Sequence, residues 1–260
     1  MENAVQKKKM KATYIIMIIN IAMISASSYI MKAVFGYSYL DEGFLKAVWI
    51  PQTIYCIFIF FVIKKYYSFE EVGFRKINKK GFLPIIPNII VILLMLLVTS
   101  LEIPSVNTSQ KTLIISALGG TLLVGFTEEV MFRGVLLQRY LENGQIKKGI
   151  IISSLMFSLM HCSNILSGQS IAKTGGQLVV TFIMGLFFAT ISVKLNNIVV
   201  PILYHFLWDF SVISLGIIGI NNAPLLAMLS SVANVLGIIV MVKILIKEKF
   251  FEGKKLEYNR

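Results

Sequence analysis

Apolar residues in this chain run on for about twenty positions at a time, with neither the alternation of a half-buried strand nor the single stripe of a soluble helix. Eight such runs can be read: Thr13–Val34, Phe44–Ile63, Phe82–Leu101, Thr112–Tyr140, Gly149–Ser163, Gly176–Val193, Ile198–Ile220 and Leu225–Ile246. Most reach the ~20 residues a helix needs to cross ~30 Å of hydrocarbon. The fifth is the shortest, and it lengthens if continued to Leu166. A barrel strand would show ~10 residues of alternating polarity instead. The pattern predicts an all-α fold, a polytopic transmembrane helical bundle of about eight spans, as a single integral membrane domain over residues 1–260.

Composition supports this reading. Hydrophobic residues make up 56% of the 260 positions and charged ones only 15%, too few to cover a soluble surface. The net charge of +12 raises the question of nucleic acid, but its placement answers it. Basic residues cluster in Lys7–Lys11, Lys64–Lys80, Arg133–Lys148, Lys194 and Lys243–Arg260, while the alternate connections hold Lys32, Lys46, Lys111 and Lys173. That asymmetry follows the positive-inside rule and predicts cytoplasmic termini, an even number of spans and a multi-pass protein of the cell membrane. The basic partner is then the lipid bilayer, with its anionic head groups, and no nucleic acid is expected. Cys56 and Cys162 fall in or at the end of apolar runs, so no disulfide framework is indicated. Cys162 follows His161, but helical neighbours point ~100° apart, which argues against a Cys–His nucleophile. The first run resembles a signal peptide in its basic flank and its small residues Ser25–Ser28. It continues through Tyr29–Val34, so a retained helix is expected. The connection Lys64–Gly81 is too short to fold alone.

The informative residues are the ionisable ones that do not sit at the ends of runs. Glu128, Glu129 and Asp209 are the exceptions among 13 acids, and both histidines, His161 and His205, lie inside runs with Arg133. Each costs several kcal/mol at membrane depth, so such groups face a bundle interior or a wet cavity. Counted from the basic ends at ~1.5 Å per residue, His205 lies ~12 Å in, Glu128 ~16 Å and His161 ~20 Å. The fourth, fifth and seventh runs therefore deliver these groups to one layer, expected in the cytoplasmic half and open toward the cytoplasm. Glu129 and Arg133 are four apart, the spacing of an ion pair on one helix face. Glu128 is turned ~100° away and is free to act as a general base. His205 and Asp209 are again four apart, so the carboxylate can hold the imidazole, and Phe157 lies one turn below His161. The string Glu-Glu-x-x-x-Arg also occurs at Glu70–Arg75, in a basic loop with Gly73, where ordinary solvated carboxylates are expected. Depth, more than the string, distinguishes the two copies.

At these residues the chain resembles the CPBP family of intramembrane proteases, also called the CAAX-protease, bacteriocin-processing or Abi family. Its first motif, Glu-Glu-x-x-x-Arg, is matched by Glu128, Glu129 and Arg133 within EEVMFRG. Phe-x-x-x-His is matched by Phe157 and His161, and His-x-x-x-Asn or Asp by His205 and Asp209. The resemblance covers roughly Thr112–Phe210, so residues 112–210 are expected to hold the catalytic core helices. It implies an endopeptidase in which Glu128 and His161 activate water, His205 and Asp209 steady the oxyanion, and Glu129 with Arg133 braces the site. The prenyl-protein branch resembles this pattern with Asn at the last position. Asp209 cannot donate a hydrogen bond unless protonated, so it is either neutral or orients His205.

Members of the family carry metalloprotease names, and two histidines with two carboxylates suit zinc. There is no His-Glu-x-x-His helix, and zinc would need ligands from three helices with one position open. The expectation is a glutamate mechanism without metal or other cofactor. Two other functions use similar residues. An ion- or proton-coupled transporter also carries Asp, Glu and His at midplane, but predicts two related halves with broken helices. Here the polar residues crowd into the second half. The resemblance also admits a non-catalytic bacteriocin-immunity protein that binds its target. The Ile- and Lys-rich composition suits a low-GC bacterium, where prenylated substrates are not expected, so a peptide or membrane-protein substrate is the better match.

Overall fold

The apolar runs become helices. The computed structural model describes residues 2–79, 82–219 and 223–247, and every regular element among them is helical. In order they are α1 (Glu2–Ala33), α2 (Glu42–Ala47), α3 (Trp49–Tyr66), α4 (Ile86–Glu102), α5 (Thr108–Glu129), α6 (Gln138–Glu142), α7 (Ile146–Met160), α8 (Ile171–Leu195), α9 (Val199–Ile218) and α10 (Ala223–Lys247). A π-helical segment, Val130–Leu137, joins α5 to α6, so the fourth run is one continuous rod. Five segments are long and apolar enough to cross a membrane: Gln6–Ala33, Leu83–Ser105, Thr108–Glu142, Ile171–Leu195 and Val199–Ile218. The remaining runs lie on α3, of 18 residues, α7, of 15, and the shorter apolar stretch Ala227–Lys243. The basic C-terminal stretch after Lys247 lies outside the described residues.

Local chemistry sets the ends. Asn107 caps α5 by accepting from the Gln110 amide, while the Gln110 side chain accepts from the Asn107 amide. Asp41 and Ser170 cap α2 and α8 by accepting from the Phe44 and Lys173 amides. Asn196 ends α8 in the left-handed region at φ 53, which Asn tolerates better than most residues. The bundle is apolar outside: Leu83, Leu101, Ile115 and Ile171 are all at least 70% exposed. Its interior, by contrast, holds small polar side chains. Ser153 and Ser154 of α7 are fully buried, and the Ser158 hydroxyl donates to the Leu178 carbonyl of α8 at 2.7 Å. In lipid, close packing and interhelical hydrogen bonds replace hydrophobic burial as the glue. A second polar cluster of this kind ties α4, α9 and α10: Asn88 donates to Asn234, which also accepts from the Tyr204 hydroxyl at 2.9 Å.

The two ends of the bundle differ. At one end the 67–79 connection packs over the π segment and the α8–α9 turn. Ile198 N–H donates to the Gly73 carbonyl, Asn78 N–H to Leu195, and Arg75 to Gln138 at 2.9 Å and Asn196 at 3.3 Å. Gly134 allows the approach, since a Cβ there would stand 2.9 Å from the Val72 carbonyl. Val130 to Leu141 are all buried, so this end is sealed. The second Glu-Glu-x-x-x-Arg copy thus has a use that a solvated-loop reading left out. Glu70 is exposed, but Arg75 fastens the seal. At the other end the 34–41 and 166–170 connections meet, with Tyr39 N–H donating to Ser167, and the Gln110 side chain of α5 donates to the Ile217 carbonyl of α9.

Candidate active site

Glu128 and Glu129 are the last residues of α5, immediately before the π segment, a distortion often found at functional sites. One Glu129 oxygen accepts from Arg133 Nη1 at 2.8 Å and from His205 Nδ1 at 3.0 Å, with Glu129 and Arg133 fully buried. The brace predicted between Glu129 and Arg133 is therefore present, and it extends to His205. Arg133 Nη2 donates to the Gly185 carbonyl of α8 at 3.2 Å. Its guanidinium lies 4.3 Å from the Phe157 ring centre and 5.2 Å from that of Phe188. Aromatic faces and a carboxylate compensate a cation that would be prohibitive in bare hydrocarbon. His205 stacks on Phe188 at 5.2 Å and meets the edge of Phe157 at 5.7 Å, so its ring is held on two sides.

Close approach of α5 and α9 makes this possible. A Cβ on Gly125 would stand 3.0 Å from Phe206 N and 3.1 Å from the Ile202 carbonyl, which is backbone and cannot yield as a side chain would. Gly125→Val is expected to force the helices apart, costing about 1–3 kcal/mol of stability and separating Glu129 from His205. Thermal unfolding and peptide cleavage in detergent test this together. Wild-type values in both would show that the contact is not needed.

Glu128 behaves differently from its neighbour. Its side chain is 12% exposed, and its buried Oε2 has no hydrogen-bond partner, standing 4.0 Å from His205 Nε2. His205 Nε2 lies 3.3 Å from Asp209, whose side chain is 29% exposed. His161 Nδ1 donates to the Phe157 carbonyl at 3.0 Å. A carbonyl only accepts, so Nδ1 carries a proton, and in the neutral ring Nε2 is an acceptor.

Glu128, His161, His205 and Asp209 line one cavity of about 430 Å³. Its other walls come from the α1 stretch Ile24–Met31, α5 from Ala117 to Val124, and α8 from Lys173 to Met184. Tyr39 and Gln52 add polar groups. Burial pushes the Tyr39 hydroxyl up to about 12, so it stays neutral and accepts from Gln177 at 3.2 Å. All of these positions lie between Glu128 and the end bearing the 34–41 and 166–170 connections. The cavity therefore leads away from the basic loops, not toward them as the depth count predicted. Depth along a helix says how far a residue is from an end, but packing decides which end is left open.

All six predicted residues are brought together, as Glu128, Glu129, Arg133, His161, His205 and Asp209 meet around the Phe157 ring and the cavity floor. The sequence reading missed the sixth run: α8 supplies the Gly185 carbonyl, Phe188 and a cavity wall, and it carries no ionisable residue at that depth to reveal it. Among the described residues no three of His, Cys, Asp and Glu converge as a metal-holding group.

No curated protein and no solved structure matches the chain. A family model does, described as type II CAAX prenyl endopeptidase Rce1-like, over residues 109–211. That stretch contains all six site residues, and across it the chain is similar to the CAAX-protease family that its three motifs resemble.

Proposed function

We propose that this protein is an intramembrane endopeptidase that hydrolyses peptide bonds with a water activated by Glu128 and His161. One observation carries the reading. Of two adjacent carboxylates, Glu129 is committed through one oxygen to Arg133 and His205, while Glu128 is the one that lines the cavity. Glu128 takes a proton from water as the oxygen attacks the carbonyl carbon. The resulting oxyanion is met by Nε2–H of a protonated His205, held in place because its Nδ1–H donates to Glu129. Glu128 returns the proton to the amide nitrogen as the C–N bond breaks, which leaves a free carboxylate and an amine. Asp209 sits at His205 Nε2 and orients it until substrate arrives. No step passes through a metal, and the substrate is a peptide or membrane protein, in peptide processing or in bacteriocin immunity.

The test is cleavage of quenched peptides by the purified protein, with and without chelator. Cleavage that survives chelation supports the glutamate route, whereas loss on chelation and recovery with zinc overturns it. Asp209→Asn keeps an oxygen near His205 and adds an amide donor, so turnover is expected within about tenfold of wild type. Asp209→Ala removes both and is expected to cost on the order of 100-fold. Equal activity in the two variants would remove Asp209 from the site.

A further inference from the structure

A bound peptide brings carbonyl oxygens into the cavity, and each needs a donor once water is displaced. The reacting groups are mostly acceptors. The Glu128 and Asp209 carboxylates accept, His161 Nε2 accepts in the neutral ring, and His205 Nε2 stands 3.3 Å from Asp209. The His205 donor is assigned above to the oxyanion. Carbonyls flanking the scissile bond therefore need donors from elsewhere on the cavity wall.

Tyr39 lines the same cavity as Glu128, His161, His205 and Asp209. The Gln177 side-chain oxygen accepts from Asn164 and from Gln169, each at 2.9 Å, which turns the amide nitrogen of Gln177 toward the Tyr39 hydroxyl at 3.2 Å. The hydroxyl thus accepts from Gln177, and among the described residues no protein group accepts its own proton. Asn164 belongs to the same 3-10 turn as His161, so this network ties the hydroxyl to the segment that carries His161. Burial keeps the hydroxyl protonated, and the charges of Asp209 and Glu128 act on it in the same direction.

The backbone around Tyr39 is held as closely. Its N–H donates to the Ser167 carbonyl at 2.9 Å, the Ser38 N–H donates to Asp41 at 2.6 Å, and its ring meets the edge of Phe44 at 5.4 Å. The next residue, Leu40, has φ 63, a conformation that bulky side chains rarely adopt and that persists only where its surroundings impose it. A donor fixed in place beforehand loses little freedom when a ligand arrives.

We propose that Tyr39 is a substrate-contacting residue whose O–H donates to a backbone carbonyl of the peptide next to the scissile bond. This rests on the peptidase reading above, and the experiment separates the two. Tyr39→Phe keeps the ring and its contact with Phe44 but removes the donor. Its kcat/KM on a peptide is expected to fall about tenfold, the order of one hydrogen bond left unmade, at an unchanged thermal midpoint in detergent. Peptides in which each carbonyl flanking the scissile bond is replaced in turn by a thiocarbonyl, a weaker acceptor, then distinguish contact from structure. At one position the replacement should cost wild type about tenfold and Tyr39→Phe nothing further. Losses that add at every position, or a wild-type kcat/KM in Tyr39→Phe, overturn the proposal.

Binding is read separately in a Glu128→Gln background, from the anisotropy of the same peptides carrying a dye. Adding Tyr39→Phe is expected to weaken binding about tenfold. If wild-type protein cleaves no peptide, the peptidase reading falls, while weaker binding in the Tyr39→Phe protein upholds the contact. Equal binding with and without the hydroxyl, or no binding in either case, overturns it.

Discussion

Glu128→Gln is expected to lower peptide cleavage by about 10²–10⁴-fold, the usual contribution of a positioned general base. Glutamine keeps the size of the side chain and its ability to hold a water but cannot take a proton at neutral pH. The fold should not suffer. Glu128 Oε2 has no hydrogen-bond partner to lose, and the nearest charged atom, His205 Nε2, is 4.0 Å away. Turnover of a quenched peptide and the thermal midpoint in detergent are read on the same preparation. A wild-type midpoint with near-wild-type turnover would assign the base elsewhere. A depressed midpoint would mean that Glu128 is part of the brace after all.

The largest loss of stability is expected from Glu129→Ala. Arg133 would remain fully buried with its carboxylate gone, and an uncompensated buried charge typically costs about 3–5 kcal/mol. The double variant Glu129→Leu with Arg133→Leu removes both charges and fills the space with apolar atoms, which is often neutral or stabilising. Its midpoint should return toward wild type. Activity should stay low in both, because His205 Nδ1 loses the oxygen it donates to at 3.0 Å. Recovery of cleavage in the double variant would show that Glu129 is structural only. A wild-type midpoint in the single variant would show that Arg133 finds another anion.

The different surroundings of the two carboxylates were legible before the structure. Helical rotation of ~100° per residue puts neighbours on different faces, and an i, i+4 partner claims one of them. That inference survived a change in local geometry, since Val130–Leu137 is π-helical and Arg133 still meets Glu129. The bond from His205 to Glu129 was not legible. The sequence reading paired His205 with Asp209, four residues along the same helix, and had no way to see α5 across the Gly125 contact. The Asn88–Asn234–Tyr204 cluster escaped for a related reason. Uncharged polar residues are common in membrane helices, and only their meeting marks them.

By itself the chain determined the helical class and singled out six polar residues that the fold brings together. These follow from quantities that vary along the sequence: run length against bilayer thickness, and the cost of charge at depth. Tertiary packing decided what lies across the gap. It chose which carboxylate anchors His205, brought α8 into the site through a carbonyl and a ring, and sealed the basic end with the 67–79 connection. Because a helix is open to its surroundings along its whole length until another helix covers it, only the packed bundle could show that the cavity above Glu128 leads away from the basic loops.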